Sequence, residues 1–273
     1  MTKEKILLLE IKQPFAHYRE PLMMQDDYIP TLNLPTATTI AGMISNLIDR
    51  ELKSNFKIGV IGTYRNKSSE FIRGESESFI RSYENELKKE LRRITKSKTN
   101  EKLDYGEIYN YNKLTKQNRI MNFETLQDVE LKIFLTTQDN ELVRKALEKP
   151  KKYLCLGRKE DFIYPAKKGD LFVKEIEIEK VHIKSKVESI KNKYKIKNTY
   201  VPVDLKSEKS NNLLNNGVLY SLPKTYKDLT AEKVDRVIEY GNYVYIDDRG
   251  AYLGDIDLNI YKTDTENIVF TWL

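Results

Sequence analysis

The sequence of 273 residues predicts an α+β fold of the ferredoxin-like type, a βαββαβ domain with a small β-rich domain after it. Three observations carry this. Apolar runs at strand spacing recur at residues 6–11, 57–64, 129–137 and 170–184. Two amphipathic stretches interrupt them, giving the order strand, helix, strand, strand, helix, strand, which RNA-recognition domains also use. A long basic stretch, residues 66–125, separates the second strand from the third.

The elements follow in order. Ile6, Leu7, Leu8, Leu9 and Ile11 are almost continuously apolar, as in a strand buried on both faces. Residues 12–35 hold four prolines and little periodicity, and predict a long loop. In LPTATTIAGMISNLID, residues 34–49, Ile40, Met43, Ile44, Leu47 and Ile48 fall on one helical face. Pro35 with Thr36, Thr38 and Thr39 suits a helix start. KIGVIGTY, residues 57–64, is the second strand. Within the insertion, residues 81–93 favour a helix or charged extension, 95–102 a basic loop, and 105–114 a hairpin strand. VELKIFLTT, residues 129–137, is the third strand. Residues 139–149 form a helix with Asp139 or Asn140 as cap and Pro150 as stop, and residues 170–184 are the fourth strand. A polar, lysine-rich linker opens the C-terminal domain at residue 184, and residues 206–217 read as a mobile loop. Its strands fall at 217–226, 242–248 and 266–273. The expected boundary therefore lies between 1–183 and 184–273. An insertion as long as 66–125 has a function or a structure of its own.

Charge adds a partner class. The net charge is +6, but unevenly spread. Residues 144–168 and 180–209 each carry 9 Lys/Arg against 3 Asp/Glu, and residues 81–119 carry 11 against 6. Residues 228–273 reverse the balance, 4 against 10. Clustered positive charge suits a polyanion, although solvated surface lysine accounts for the same numbers. In the insertion, Tyr105, Tyr109 and Tyr111 stand among Lys102, Lys113, Lys116 and Arg119. Aromatic faces stack on bases and cations track phosphates, the pattern of single-stranded RNA or DNA binding; a tyrosine-rich hairpin covering the core is the plain alternative.

Other chemistries lack their residues. No apolar run reaches the ~18 residues of a membrane span, and no secretory leader is evident. A lone cysteine, Cys155, excludes internal disulfides and suits the reducing cytoplasm. His17, His182 and Cys155 have no metal-ligand spacing, and the aspartate pairs at 26–27 and 247–248 read as solvated loops, so neither a metal nor a cofactor is expected. There is no P-loop, dinucleotide loop or Gly-x-Ser-x-Gly elbow. The one enzyme reading left is a metal-independent endoribonuclease using His17 or His182 with Tyr and Lys neighbours.

FAHYREP (15–21), LPTATTIAGMISNLID (34–49) and YLCLGRKEDFIYP (153–165) together resemble the CRISPR-associated Cas five family of the RAMP superfamily, a component of type I Cascade. The matching positions are Ala16 with Tyr18 and Arg19, then Pro35 to Gly42, then Leu156 to Lys159. The Lys- and Asn-rich character is closest to the I-B branch. The resemblance implies a subunit that grips the 5′ handle of the CRISPR RNA (crRNA) and contacts the backbone RAMP subunit and the large subunit. It meets target DNA only through the complex. The insertion acts as a thumb, and the mouth of the first helix with its threonines faces a handle phosphate. One branch cleaves precursor RNA with a Tyr, Lys and His set; residues 66–125 contain no histidine, so a non-catalytic subunit is expected here. A general single-stranded RNA-binding module is the remaining alternative. The RNA-contacting residues expected are Tyr18, Arg19, Thr36, Thr38, Thr39, Arg65, Arg92, Arg93, Lys96, Lys98, Tyr109, Tyr111, Lys113, Lys116, Arg119, Arg158 and Lys159.

Overall fold

A computed structural model describes residues 2–20, 28–50, 52, 56–75, 77–97, 118–167, 169–206, 211–227 and 237–273. Its strands are β1 (Thr2–Ala16), β2 (Tyr28–Ile29), β3 (Lys57–Thr63), β4 (Asn66–Glu75), β5 (Asn118–Thr136), β6 (Tyr164–Pro165), β7 (Val173–Ile183), β8 (Lys195–Ile196), β9 (Thr199–Pro202), β10 (Val218–Lys227), β11 (Val237–Ile246), β12 (Ala251–Tyr252), β13 (Ile256–Lys262) and β14 (Asn267–Phe270). Its helices are α1 (Ala37–Ile48), α2 (Glu77–Ser97), α3 (Asn140–Glu148), α4 (Lys186–Lys191) and α5 (Asn211–Leu214). The molecule is thus mixed α/β and rich in sheet.

Four strands make the centre, in the order β3-β5-β1-β7, each antiparallel to its neighbour. Helix α1 precedes β3 in the chain, and α3 joins β5 to β7. Alternation along the strands sorts the side chains onto two faces. Leu7, Leu9 and Ile11 of β1, Leu131, Ile133 and Leu135 of β5, and Ile58 and Val60 of β3 form one core with Ile40, Met43, Ile44 and Leu47 of α1 and Val143 and Leu147 of α3. The alternate residues Ile6, Leu8, Phe134, Ile176 and Ile178 form the other face.

That second face is covered by the end of the chain. Phe270 stacks on Phe134 at 3.8 Å between ring centroids. The Leu273 amide donates to the Ile58 carbonyl at 2.9 Å, and the Thr271 hydroxyl to the Tyr200 carbonyl at 3.0 Å. In strand order β14 lies at one end of the sheet, yet these bonds bring the residues after it against β3 and β9, so the sheet curls back on itself. Gly59 allows the approach: a Cβ there would lie 2.5 Å from the Phe270 ring.

The sheet also runs unbroken past residue 184. β9, β11 and β10 extend it beyond β3, and β13 with β14 extends it beyond β7. A further apolar cluster, including Ile183, Tyr194, Ile196, Val244, Ile246, Leu258 and Ile260, joins the two segments. The three strands expected after residue 184 appear as β10, β11 and β14 and complete the first sheet, together with β9 and β13, which their sequences did not announce; among the described residues only β8 and β12 pair apart from it.

Two elements depart from their expected lengths. β1 continues to Ala16, into the segment expected to be loop, with Phe15 opposite Gln127 and Ala16 opposite Leu126. Pro14 fits because β1 has no paired neighbour on its other side beyond Lys12, so the missing N–H breaks no ladder there. β5 begins well before residue 129 because its first half, residues 118–127, pairs with β4 instead of β3. The start and end of the insertion are therefore a two-stranded ribbon, and α2 extends beyond the expected 81–93. Asp128, at φ 50°, marks where β5 changes partner, and Arg65 holds its carboxylate at 2.8 Å. The hairpin strand expected at 105–114 lies outside the described residues.

Phe270→Ala is expected to cost about 3–5 kcal/mol, since it deletes a fully buried ring stacked on another and opens the covered face. Urea unfolding is the measure. A loss below about 1 kcal/mol would mean that the chain end does not seal this face.

Candidate nucleic-acid interface

The residues that carry the family-like motifs meet around one buried carboxylate. Asp161 is 2% exposed. Its Oδ2 accepts from the backbone amides of His17 and Arg158, both at 2.9 Å. Its Oδ1 takes the Arg158 Nη2 at 3.0 Å. The Arg158 Nη1 reaches across to Glu70 of β4 at 2.9 Å, and Nε lies 3.3 Å from Glu160. Gln13, also buried, completes the joint. Its Nε2 donates to the carbonyls of Leu156 and Asp161 at 2.9 and 3.0 Å, and its Oε1 accepts the Tyr18 hydroxyl. Gly157 sits at φ 108°, where a Cβ would lie 2.6 Å from the His17 carbonyl oxygen. Both its conformation and that close approach demand glycine.

This placement corrects two expectations. Tyr18 is 2% exposed, with burial holding its hydroxyl well above its ordinary pKa, so it is part of the joint and presents no ring to a base. Arg158 is occupied by three carboxylates, Glu70, Glu160 and Asp161, and its guanidinium serves the loop rather than a phosphate. Phe123 lies beneath it, 6.0 Å from the guanidinium carbon.

His17 is buried beside this joint. Its Nδ1 is 2.7 Å from the Glu124 carbonyl, which can only accept, so Nδ1 carries the proton and Nε2 is a buried lone pair with no partner among the described residues. Burial lowers its pKa below 6.5, against the opposing pull of that carbonyl. The fold thus holds His17 as a neutral ring turned inward. His182 is exposed, but its two nitrogens face Asp257 at 2.8 Å and Asp255 at 3.7 Å.

The threonines at the start of α1 use their hydroxyls on one another. Thr36 caps the helix by accepting from the Thr39 amide at 3.2 Å, and its hydroxyl lies 2.9 Å from those of Thr38 and Thr39. Capping accounts for this arrangement completely. Arg19 is exposed, with its backbone bridged to Thr31. Thr31 is held in turn by Glu124, whose carboxylate accepts the Thr31 amide at 3.0 Å and Lys67 at 3.3 Å. Arg92 and Lys96 are exposed on α2, and Arg93 bonds Glu90 at 2.8 Å. Arg119 is placed by its backbone opposite Gly74. Lys98, Tyr109, Tyr111, Lys113 and Lys116 lie outside the described residues.

The joint presents residues that sequence reasoning missed. Tyr153 is 88% exposed and meets Phe162 edge to face at 6.1 Å. Phe162 and Tyr164 point outward while Ile163 between them is buried. Lys151, also missed, and the expected Lys159 are exposed on the same segment. Exposed rings beside cations are the residue types that single-strand sites use, the rings to stack on bases and the cations to meet phosphates. The alternation of Phe162, Ile163 and Tyr164 was the available signal, but three residues are too few to show which face is outward. Among the described residues there is no group of three or more side chains suited to a metal, and no helix long and apolar enough to cross a membrane.

The model of the protein family described as CRISPR-associated protein (Cas_Cas5) matches residues 6–188. No curated protein matches the chain. Among solved structures, the chain is similar to one from a CRISPR RNA-guided surveillance complex, with 13% identity and a TM-score of 0.45, covering 91% of this chain and 90% of that one. It is similar to a CRISPR protein from Archaeoglobus fulgidus, with 11% identity, a TM-score of 0.41, and 97% and 98% covered. It is also similar to a chain of Type III-B Cmr-beta bound to cognate target RNA, with 12% identity, a TM-score of 0.34, and 89% and 84% covered.

Asp161→Ala is expected to cost about 3–5 kcal/mol, because it leaves the His17 and Arg158 amides without their acceptor and takes from Arg158 its most buried partner. Glu70→Gln, at the half-exposed end of the same cluster, is expected to cost less than about 1 kcal/mol. Thermal melts compare the two, and equal losses would remove Asp161 from its central place. His17 adds a pH signature. Below 6.5 the unfolded chain takes up a proton that the folded chain resists, so this contribution is present above that pH and is lost as pH falls. His17→Gln is expected to flatten the decline in stability between about pH 7 and about pH 5.5; an unchanged slope in urea melts would contradict it.

Proposed function

Because this chain belongs to the Cas5 family of CRISPR-associated proteins, we propose that it is a non-catalytic RNA-binding subunit of a type I CRISPR effector. In this reading it grips the 5′ handle of the crRNA and caps the backbone of the complex. The observation that carries it is the joint at Asp161. It welds the segment around residues 13–19 to the segment 154–163 and leaves Tyr153, Phe162 and Tyr164 facing outward near Lys151 and Lys159. Stacking on such rings tolerates any base, while lysine neutralises the strand beside it.

The central strands with α1 and α3 are read here as the ferredoxin-like RAMP core. The ribbon of β4 and the first half of β5, with α2, is read as the thumb that contacts the guide and the neighbouring backbone subunit. The two histidines support the non-catalytic assignment: His17 is buried and neutral, and His182 is flanked by two aspartates whose charge repels a phosphodiester.

Purified full-length protein incubated with repeat-derived RNA in EDTA tests this reading. It is expected to bind the handle and leave the RNA intact. Tyr153→Ala is expected to weaken handle binding about tenfold, within the roughly 1–3 kcal/mol of one stacked base, with the melting temperature unchanged. Specific cleavage would instead establish the endoribonuclease, and equal affinity for unrelated single strands would establish a general RNA-binding module.

A further inference from the structure

One dipeptide carries chemistry that the RNA-binding reading leaves unused. Asn216 precedes Gly217, the one Asn-Gly pair in the chain, at the end of the asparagine-rich stretch SNNLLNNG, residues 210–217. Asparagine is thermolabile because its side-chain carbonyl can be attacked by the next backbone nitrogen, which closes a five-membered ring. A side chain on the following residue crowds that attack, and glycine has none.

The fold leaves the groups of this reaction accessible. Helix α5 ends at Leu214, and Asn215 and Asn216 form the turn before β10. Leu213 beneath them is buried, and its carbonyl accepts the Asn216 amide at 3.0 Å. Asn215, Asn216 and Gly217 are exposed. The two asparagines line an open cleft of about 670 Å³ with Asp204 and Tyr252, so water reaches them. Among the described residues no acceptor meets the Gly217 amide, the nitrogen that must attack. Packing also keeps glycine in place. A Cβ at Gly217 would run into the Tyr245 carbonyl oxygen and lie 2.8 Å from the Val244 side chain. β10 begins at the next residue, with Val218 opposite Tyr245, and lies at the end of the sheet beside β11. The seating of β10 on β11 therefore demands the very residue that makes Asn216 reactive.

We propose that Asn216 is a self-modifying site, which deamidates in the folded protein without an enzyme and, as isoaspartate, unseats the start of β10. The Gly217 nitrogen, its proton taken by hydroxide, bonds to the Asn216 Cγ. The bond from Cγ to Nδ2 breaks, and ammonia leaves. Water then adds to one of the two carbonyls of the cyclic imide, and the ring C–N bond at that carbonyl breaks. Attack at Cγ gives aspartate; attack at the backbone carbonyl gives isoaspartate. Nothing is oxidised or reduced: asparagine and water become an acid and ammonia. Isoaspartate routes the main chain through Cβ and Cγ, which puts one more atom between the Cα of residue 216 and the Gly217 nitrogen. Gly217 has no room for even a Cβ against Tyr245, so the longer path displaces it from β11. This inference does not depend on the guide-RNA reading.

The test incubates full-length protein in mildly alkaline buffer at physiological temperature and digests samples with trypsin over time. Lys209 and Lys224 bound the peptide that carries the site, residues 210–224. Tandem mass spectrometry is expected to place a gain of about 1 Da, water for ammonia, on residue 216. Its rate should rise in proportion to hydroxide and lie within about threefold of the rate for the same protein unfolded in urea. An isoaspartyl methyltransferase identifies the isoaspartyl product. Asn216→Gln, whose extra methylene disfavours the ring, is expected to slow the gain at least about tenfold, and Asn215→Gln to leave it unchanged. The modified fraction, separated by ion exchange, is expected to melt about 2–4 °C lower. Asn216→Asp adds the charge without the extra backbone atom and is expected to melt within about 1 °C of wild type. The proposal is overturned if folding protects Asn216 more than about tenfold relative to urea, if the gain falls on Asn211, Asn212 or Asn215 instead, or if Asn216→Gln gains mass as fast as wild type. A modified fraction that melts with the unmodified protein overturns the effect on β10.

Discussion

A carboxylate taken out of water needs donors on every side, and Asp161 meets that need by drawing distant pieces of chain together. Two backbone amides, at His17 and Arg158, and one guanidinium close around it. Gln13 secures the same loop from the other side through the carbonyls of Leu156 and Asp161. The consequence is geometric. The end of β1, the loop 154–163 and the first strand of the insertion cannot move independently, because Arg158 also holds Glu70 of β4. Tyr153, Phe162 and Tyr164 are carried on or beside this braced loop, so under the proposed RNA-binding reading they would bind without the ordering cost that a free loop adds.

The sheet is organised by a similar sharing. β5 is long enough to serve two partners along one edge, β4 on its first half and β3 on its second, while β1 pairs with it on the other, and the left-handed Asp128 marks the exchange. The insertion thus begins as an outgrowth of the central sheet and inherits its direction from it. At the other end of the chain, Phe270 and Leu273 return to β3 and cover the face that α1 and α3 leave open. An open apolar sheet face would invite association, and the returning chain removes it from solvent.

Reading residue types without their neighbours succeeded unevenly, and the failures share a cause. The central strands and both helices of the core were legible because burial imposes a period, and periods survive in one dimension. Thr36 was legible as a cap for the same local reason. Arg158 was legible as important, but its role was not. An arginine near a strand end suits a phosphate until Glu70, far away in sequence, is found beside it. Tyr18 failed likewise: its motif was visible, but its burial depends on Gln13 and on the packed loop opposite. Tyr153 was overlooked because exposure leaves no periodic mark.

The sequence by itself determined the four central strands and the two core helices between them, the basic character of three segments, the single cysteine, and the family. These follow from composition, spacing and motif, which are properties of the chain as a line. Tertiary structure alone decided that the C-terminal segment completes the first sheet, that β5 changes partners at Asp128, and which arginines and tyrosines face outward. The physical reason is that burial and pairing are fixed by contacts between residues far apart in the chain. Asp161 meets His17, and Phe270 meets Phe134, only after the chain has folded.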